Sequence, residues 1–158
     1  MPISNAAARS YYLITEALES SLLNNSITKS VTIGDISDVD LAKQTIFPLA
    51  HFIVNNVVST EQTLVYNISV LCMDVKDSSK DEETDRFRGN SDMQDILNTQ
   101  LSVLNTLIQK LRFGDLETTG YRLNNDPVCE PFVDRFENNL AGWSAELNIE
   151  VPNNQNIC

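Results

Sequence analysis

The sequence contains few of the residues on which metal sites and covalent catalysis depend. It has three cysteines, Cys72, Cys129 and Cys158, and a single histidine, His51. The cysteines are odd in number, far apart in sequence and never arranged as Cys-x-x-Cys, so we expect neither a disulfide framework nor a zinc site built from ligand pairs. This cysteine usage favours a reducing cytosol.

Basic residues are also scarce. Eleven Lys and Arg stand against 22 Asp and Glu, which gives a formal net charge of −11. Binding of nucleic acid by counterion release requires clustered cations, so this balance argues against a nucleic-acid-binding protein. It argues equally against attachment to an anionic membrane surface. An acidic surface suits a protein that must stay soluble, or a channel past which DNA slides without adhering.

Targeting and cofactor-binding patterns are missing as well. The longest apolar run, residues 47–54, is interrupted by His51 and is too short to cross a bilayer. The first ten residues show no cationic segment followed by an apolar stretch, so no signal peptide is predicted. The five glycines never form a phosphate-binding pattern. We therefore expect no membrane association and no cofactor.

Apolar residues at spacings of three and four predict two main helices. The first is predicted over residues 5–24, with Ser4 as its cap. The second is predicted to begin at Ser91 and to end at Gly114. The apolar stripe of the first helix consists of Ala7, Tyr11, Ile14, Leu18 and Leu22. The stripe of the second consists of Met93, Leu97, Leu101, Leu104, Ile108 and Leu111, widened by Ile96, Val103 and Leu107.

Alternating or β-rich segments predict the strands, which are residues 30–33, 47–57, 63–75, 131–136 and 142–151. The segments 47–57 and 63–75 should form a long antiparallel hairpin. One face of residues 63–75 is continuously apolar and is the predicted core face: Leu64, Tyr66, Ile68, Val70 and Cys72. The apolar face of residues 142–151 consists of Trp143, Ala145, Leu147, Ile149 and Val151. Pro48 lacks an N–H group and should lie at a strand start or on an edge. Because strands are grouped between helices without β-α-β alternation, the predicted fold class is α+β. We expect a mostly antiparallel sheet of about four or five strands flanked by the two helices.

The chain is predicted to be a single domain over residues 1–158. Residues 75–90 are rich in charges of both signs and lack apolar periodicity, which predicts a mobile, solvated loop. Residues 153–158 form a polar tail after Pro152.

Candidate chemical sites are few, and each has a structural explanation beside it. Asp35, Asp38 and Asp40 could offer oxygen ligands to a divalent cation, but their spacing does not match a calcium loop, so a solvated turn is favoured. His51 has no Ser-His-Asp or Cys-His motif around it, and a hydrogen-bonded structural histidine is favoured over a general base. Glu130 follows Cys129 and has the wrong sign to stabilise a thiolate. We predict no catalytic residue and no metal site.

Trp143 is the one large aromatic residue with two competing interpretations. It follows Gly142 directly, and the strand that starts there alternates apolar and polar residues. The indole is either an anchor of the core or an interface hot spot.

The order of elements and several short segments resemble the tail-terminator and neck ring proteins of tailed bacteriophages. The segments that carry the resemblance are residues 35–40 (Asp-Ile-Ser-Asp-Val-Asp), residues 46–51, the long strand ending at Met73-Asp74, the leucine-rich helix, and residues 136–143 before the last strand. The resemblance spans nearly the whole chain as an order of elements, and none of its motifs is catalytic. The acidic, Asn-rich character also resembles proteins of crAss-like phages of gut Bacteroidota.

The resemblance implies a homo-oligomeric ring, six-fold or twelve-fold, on the axis of a phage neck or tail. Such a ring terminates the tail or joins it to the connector, contacts adjacent neck, portal or tail proteins, and lets DNA pass through without specific binding. The protein would then be a virion component, assembled in the cytoplasm of the bacterial host, and not an enzyme.

A closed ring requires two different complementary patches on each copy. We take the charged loop and the sheet margin around residues 47–51 as these patches. The candidate interface residues are Phe47, Pro48, His51, Asp77, Lys80, Asp81, Arg86, Arg88 and Trp143. Glu146 and Glu150 are candidate lumen-lining residues, because carboxylates there would repel DNA phosphates.

Two further hypotheses remain open from the sequence. The first is a small acidic cytosolic adaptor or inhibitor that binds a basic partner. The second is a hydrolase with paired carboxylates, which meet in space and not in sequence. Ring formation would distinguish the phage hypothesis from the adaptor hypothesis. A pocket with two close carboxylates would favour the hydrolase.

Overall fold

Two helices pack against a mixed sheet. The computed structural model describes residues 10–35, 46–75, 92–118, 120–135 and 140–152. In chain order the elements are α1 (Ser10–Leu23), β1 (Ser30–Ile33), β2 (Leu49–Ser59), β3 (Thr63–Val75), α2 (Asp92–Arg112), α3 (Asp115–Thr118), β4 (Arg122–Leu123), β5 (Glu130–Arg135) and β6 (Leu140–Pro152). The strand order is β1-β2-β3-β6-β4, and β5 also pairs with β6. The α+β prediction is therefore confirmed.

The sheet is mostly antiparallel, as predicted. Only the short β1–β2 pair is parallel among the described strand pairs. The described part of the sheet has six strands, since the two-residue β4 adds to the five that the sequence predicts. Two residues carry no readable alternation, so β4 could not be found from the sequence.

The pairing of β3 with β6 forms the middle of the sheet. The two strands are in register from Thr63 opposite Pro152 to Val75 opposite Leu140. In β3 the predicted core face is confirmed, because Tyr66, Ile68, Val70 and Cys72 are buried. In β6 the alternate residues Ala145, Leu147, Ile149 and Val151 are buried on the same face.

Both helices cover this one face. The buried residues of α1 are Ile14, Leu18 and Leu22. Tyr11, predicted on the stripe, is 56% exposed, and Ser10 takes the inward position, where its hydroxyl hydrogen-bonds the hydroxyl of Tyr66. That part of the prediction is wrong, because a polar pair satisfied in the interior replaces the tyrosine ring.

The buried stripe of α2 is rotated from the predicted one. Its buried hydrophobic residues are Ile96, Val103, Leu104, Leu107, Ile108 and Leu111. Leu101 lies at the rim and is 36% exposed. The three residues predicted to widen the stripe are all buried, so the buried face of α2 is shifted towards them where the helix packs on β3 and β6.

A second, smaller apolar cluster lies apart from the helix-covered core. Its buried members are Phe47, Leu49, Met73, Phe132 and Leu140. Leu49 and Met73 are opposite each other in the β2–β3 ladder, and each is next in sequence to a residue of the helix-covered face, Ala50 and Cys72 respectively. Successive side chains of a strand point to opposite faces, so this cluster covers one end of the other face of the sheet.

The last strand begins earlier than predicted. It starts at Leu140, and Gly142 lies inside it, opposite Met73 of β3. A methyl group on residue 142 would overlap the carbonyl oxygen of Cys72. Gly142 is thus required by close strand approach and not by a turn.

Several sequence predictions lie outside the described residues. They concern residues 76–91 and 153–158 and positions 4, 7, 38 and 40. The interface candidates Asp77, Lys80, Asp81, Arg86 and Arg88 are among them and stay predictions.

Leu104 should be essential for stability. Its side chain is fully buried beneath α2, so Leu104→Ala should lower the free energy of unfolding by about 2–5 kcal/mol through a cavity. Leu101→Ala changes the same residue type on the same helix at the exposed rim and should cost far less. Chemical denaturation of both variants measures the difference. Equal losses would contradict the observed orientation of α2.

Candidate functional site

The face of the sheet away from the helices carries a ladder of polar side chains. Asn55 Nδ2 donates to Asn67 Oδ1 at 2.8 Å and to Ser69 Oγ at 2.7 Å. Asn67 Nδ2 in turn donates to Asn148 Oδ1 at 2.8 Å. The chain of bonds therefore crosses β2, β3 and β6, and it fixes a flat polar surface where the second apolar cluster ends.

This surface is acidic. Asn148, Glu146 and Glu150 are alternate residues of β6, so their side chains share one face. Glu146 is exposed and Glu150 is half-buried. Among the described residues, the ion pairs join Arg112 to Asp126 and Arg122 to Glu117, and neither pair includes Glu146 or Glu150. Arg122 lies opposite Glu150 in the β4–β6 ladder, so its charge offsets part of the acidity at that end of the face.

A shallow cleft of about 550 Å³ lies at the edge of the same face. β4 and β5 both pair with this side of β6, and the cleft lies in the gap between them. Asn124 N–H donates to Asn148 O, and Asn148 N–H donates to Asn125 Oδ1 at 3.1 Å. The residues that line the cleft include the carboxylates Asp126, Glu130 and Glu146 and the hydroxyls of Ser69 and Ser144.

Within the described ranges, no group of three His, Cys, Asp or Glu side chains is arranged to hold a metal ion. The acidic cleft therefore offers negative charge, but its described carboxylates are not arranged to coordinate a metal ion. Of the predicted aspartate group, the described part reaches only Asp35.

His51 has a structural role in the single chain. Its side chain is 1% exposed. The Thr32 hydroxyl lies 2.7 Å from Nδ1, and the Gly34 carbonyl oxygen lies 2.6 Å from Nε2. A neutral imidazole that carries its proton on Nε2 satisfies both contacts, donating to Gly34 and accepting from Thr32. His51 thus joins β2 to β1 and to the residue after it.

The two described cysteines are protonated thiols. Burial, with a smaller contribution from Cys129, raises the pKa of Cys72 to about 12. Burial also raises the pKa of Cys129, while the charge of Arg112 opposes this shift. A thiolate nucleophile requires a lowered pKa, so neither side chain is activated.

The remaining interface candidates lie around the sheet margin. Phe47 is buried in the second apolar cluster, and Pro48 immediately precedes β2 and is half-buried. Trp143 is half-buried against the main core, and its Nε1–H donates to the carbonyl oxygen of Leu97 at 2.7 Å. The structure thus brings Trp143 to α2 and places Phe47 and His51 inside the chain.

The polar ladder is the feature that sequence reasoning missed. Asn67 and Asn148 stand at outward positions of predicted strands, which was visible in the alternation. Their direct opposition depends on the register of two distant strands, because the two asparagines are 81 positions apart in the chain. That register is not encoded in either segment alone.

Comparison with known proteins gives no relative for this chain. No protein-family model matches it, and no curated protein sequence is significantly similar to it. In the ranges that the structure describes, no helix combines the length and apolar character needed to cross a membrane.

Acidification should destabilise the protein through His51. Burial lowers its pKa below the ordinary 6.5, against the opposing effects of the Gly34 carbonyl and the Asp35 carboxylate. Between the lowered pKa and 6.5 the unfolded state binds more protons than the folded state. The free energy of unfolding should therefore fall as the pH drops through this window and should recover above it.

Thermal denaturation from about pH 7.5 to about pH 5.5 measures this effect. His51 is the sole histidine, so His51→Gln, which keeps a neutral donor and acceptor, should remove most of the pH dependence in this range. The same dependence in both proteins would show that another group is responsible.

Proposed function

We propose that the protein is a non-enzymatic structural virion component that forms a ring in the neck or tail of a tailed phage. The ring terminates the tail or joins it to the connector, and DNA passes through its centre. Adjacent neck, portal or tail proteins and further copies of the chain are the partners. This function combines the resemblance of the sequence with the charge of the uncovered sheet face.

The observation that carries the proposal is the acidic face of the sheet that neither α1 nor α2 covers. Glu146 and Glu150 stand on it beside the asparagine ladder. A DNA conduit must repel phosphate oxygens so that the duplex does not adhere, and fixed carboxylates on a rigid sheet do this at short range. The amides present polar groups whose hydrogen bonds are already made within the ladder.

The helix-covered face of the sheet is less suited to line the lumen of the proposed ring. It is closed by α1 and α2, whose apolar residues pack into the core. A ring that turned this face inward would place helices at the lumen and the acidic sheet outside. We therefore assign the open sheet face to the lumen, with residues 76–90 and the sheet margin near Pro48 as the proposed contacts between copies.

A second function is favoured by the cleft at residues 125–130. Asp126, Glu130 and Glu146 give it a negative character that fits a Lys- or Arg-rich partner. A small cytosolic adaptor or inhibitor of a basic protein would use this cleft as a monomer. The oligomeric state of the intact protein with its virion neighbours separates the two functions.

Electron microscopy of the intact protein, alone and with neck partners, should show closed rings of six-fold or twelve-fold symmetry. Wild-type rings should bind duplex DNA too weakly to measure at physiological salt. The double variant Glu146→Lys/Glu150→Lys should bind DNA with an affinity that falls steeply with salt, because cations then line the lumen.

The matched control is Glu16→Lys/Glu19→Lys, which makes the same change in net charge on α1. This control should leave DNA retention near the wild-type level. Equal DNA binding by both double variants would contradict a lumen on the sheet face. A persistent monomer with every neighbour supplied would favour the adaptor.

A further inference from the structure

The outer edge of β2 is only partly covered. β1 pairs with β2 from Leu49 to Phe52 and ends there. The register of β2 against β3 shifts between Val54 and Asn56 and is regular again to Ser59. Among the described strands, none pairs with the outer side of residues 56–59, which we call the free edge.

The direction of the backbone groups on the free edge follows from the hairpin. Thr60 N–H donates to the carbonyl oxygen of Thr63 on β3. In an antiparallel ladder the bonding direction alternates along the strand. The N–H and C=O groups of Val58 therefore also point towards β3, and those of Val57 and Ser59 point outward. The free edge thus offers hydrogen-bonding groups to another strand.

The free edge has no charge and exposes two branched apolar side chains. Its sequence is Asn-Val-Val-Ser, in which Val57 is 43% and Val58 56% exposed. Natural sheets protect an exposed edge with charged side chains or proline, because an unprotected edge pairs with other strands. Neither device is present on residues 56–59.

The opposite edge of the sheet shows the contrast. It consists of β4 and β5, which carry the charged residues Arg122 and Glu130. β5 also contains Pro131, which has no N–H group to offer to a further strand. That edge is protected, so the two edges of the sheet differ in their capacity to add a strand.

Exposed tyrosines lie at the same end of the molecule as the free edge. Val57 is opposite Tyr66 in the ladder, and the Tyr66 hydroxyl bonds Ser10 at the start of α1. The next two residues, Tyr11 and Tyr12, are both exposed.

We propose that the free edge pairs with the free edge of a second copy, antiparallel and about a two-fold axis at Val58. Val58 then faces Val58 of the second copy as a non-hydrogen-bonded pair, in which side chains approach closely. Val57 exchanges backbone hydrogen bonds with Ser59 of the second copy. The two sheets become one continuous sheet.

A second copy is the occupant that the charges favour. Each chain carries a net charge of −11, so two copies repel each other except where a surface is uncharged. The pairing also needs an equally unprotected strand, and the described part of this chain provides one in the free edge itself. Identical strands are complementary in an antiparallel two-fold arrangement.

This contact goes beyond the proposed ring. A two-fold contact is closed by two copies and cannot by itself generate a ring, which needs head-to-tail contacts. The dimer therefore forms whether or not rings form, and in a virion it would join two copies through their sheets.

Sedimentation of the full chain over a range of micromolar concentrations tests the proposal. The wild type should form dimers. Val58→Lys and Val58→Glu should each raise the dissociation constant at least about tenfold, because like charges then oppose each other across the axis. An equal mixture of these two variants should restore dimers, since Lys then faces Glu.

The matched control is Val133→Lys on β5, which places the same charge on the protected edge and should leave the dimer intact. Amide hydrogen exchange of the wild type provides a measurement without substitution. The amides of Val57 and Ser59 should exchange more slowly as the concentration rises.

A wild type that stays monomeric, or a dimer unaffected by Val58→Lys, would overturn the proposal. A mixture that fails to restore dimers would overturn the two-fold axis at Val58. Rings that persist in Val58→Lys while dimers are lost would support both the proposed function and this separate contact.

Discussion

The structure depends on the pairing of β3 with β6. These strands are far apart in sequence, yet they stay in register over their whole length. The close approach is possible because Gly142 has no side chain to meet the Cys72 carbonyl. Both helices pack on the face that this pair creates, and the asparagine ladder crosses the other face. A shift of one residue would exchange the apolar and polar faces of β6, so the register determines both the core and the candidate lumen surface.

The two faces of the sheet have different roles: one forms the hydrophobic core, and the other carries the proposed functional surface. The helix-covered face buries residues of α1, α2, β2, β3 and β6 in one cluster. The open face is apolar at the end near Leu49 and polar where the asparagines and glutamates stand. Amides whose hydrogen bonds are made with one another leave few groups for a ligand. The open face is better suited to limiting adhesion than to binding, and this is the property that the proposed conduit requires.

The two edges of the sheet also differ. One carries charges and Pro131, whereas the other ends in an uncharged, exposed valine pair. Because backbone groups on an edge remain available for pairing, edge chemistry controls which contacts a β-protein makes with its neighbours. In this chain the unprotected edge borders the acidic face, since Val58, Val65 and Glu150 lie opposite one another across β2, β3 and β6. Pairing between two copies at this edge would therefore continue the acidic face from one sheet into the next.

The sequence by itself determined the elements with strong periodicity. The alternation in residues 63–75 and 142–151 predicted both the strands and their buried faces, and the spacing of leucines predicted α2. It placed Tyr11 on the wrong side of α1, because the satisfied pair of Ser10 and Tyr66 is a long-range contact. The tertiary structure alone decided the asparagine ladder, the role of Gly142 and the free edge of β2. Each of these depends on strand order and register, which arise from packing between segments distant in the chain. Local sequence patterns do not predict that packing.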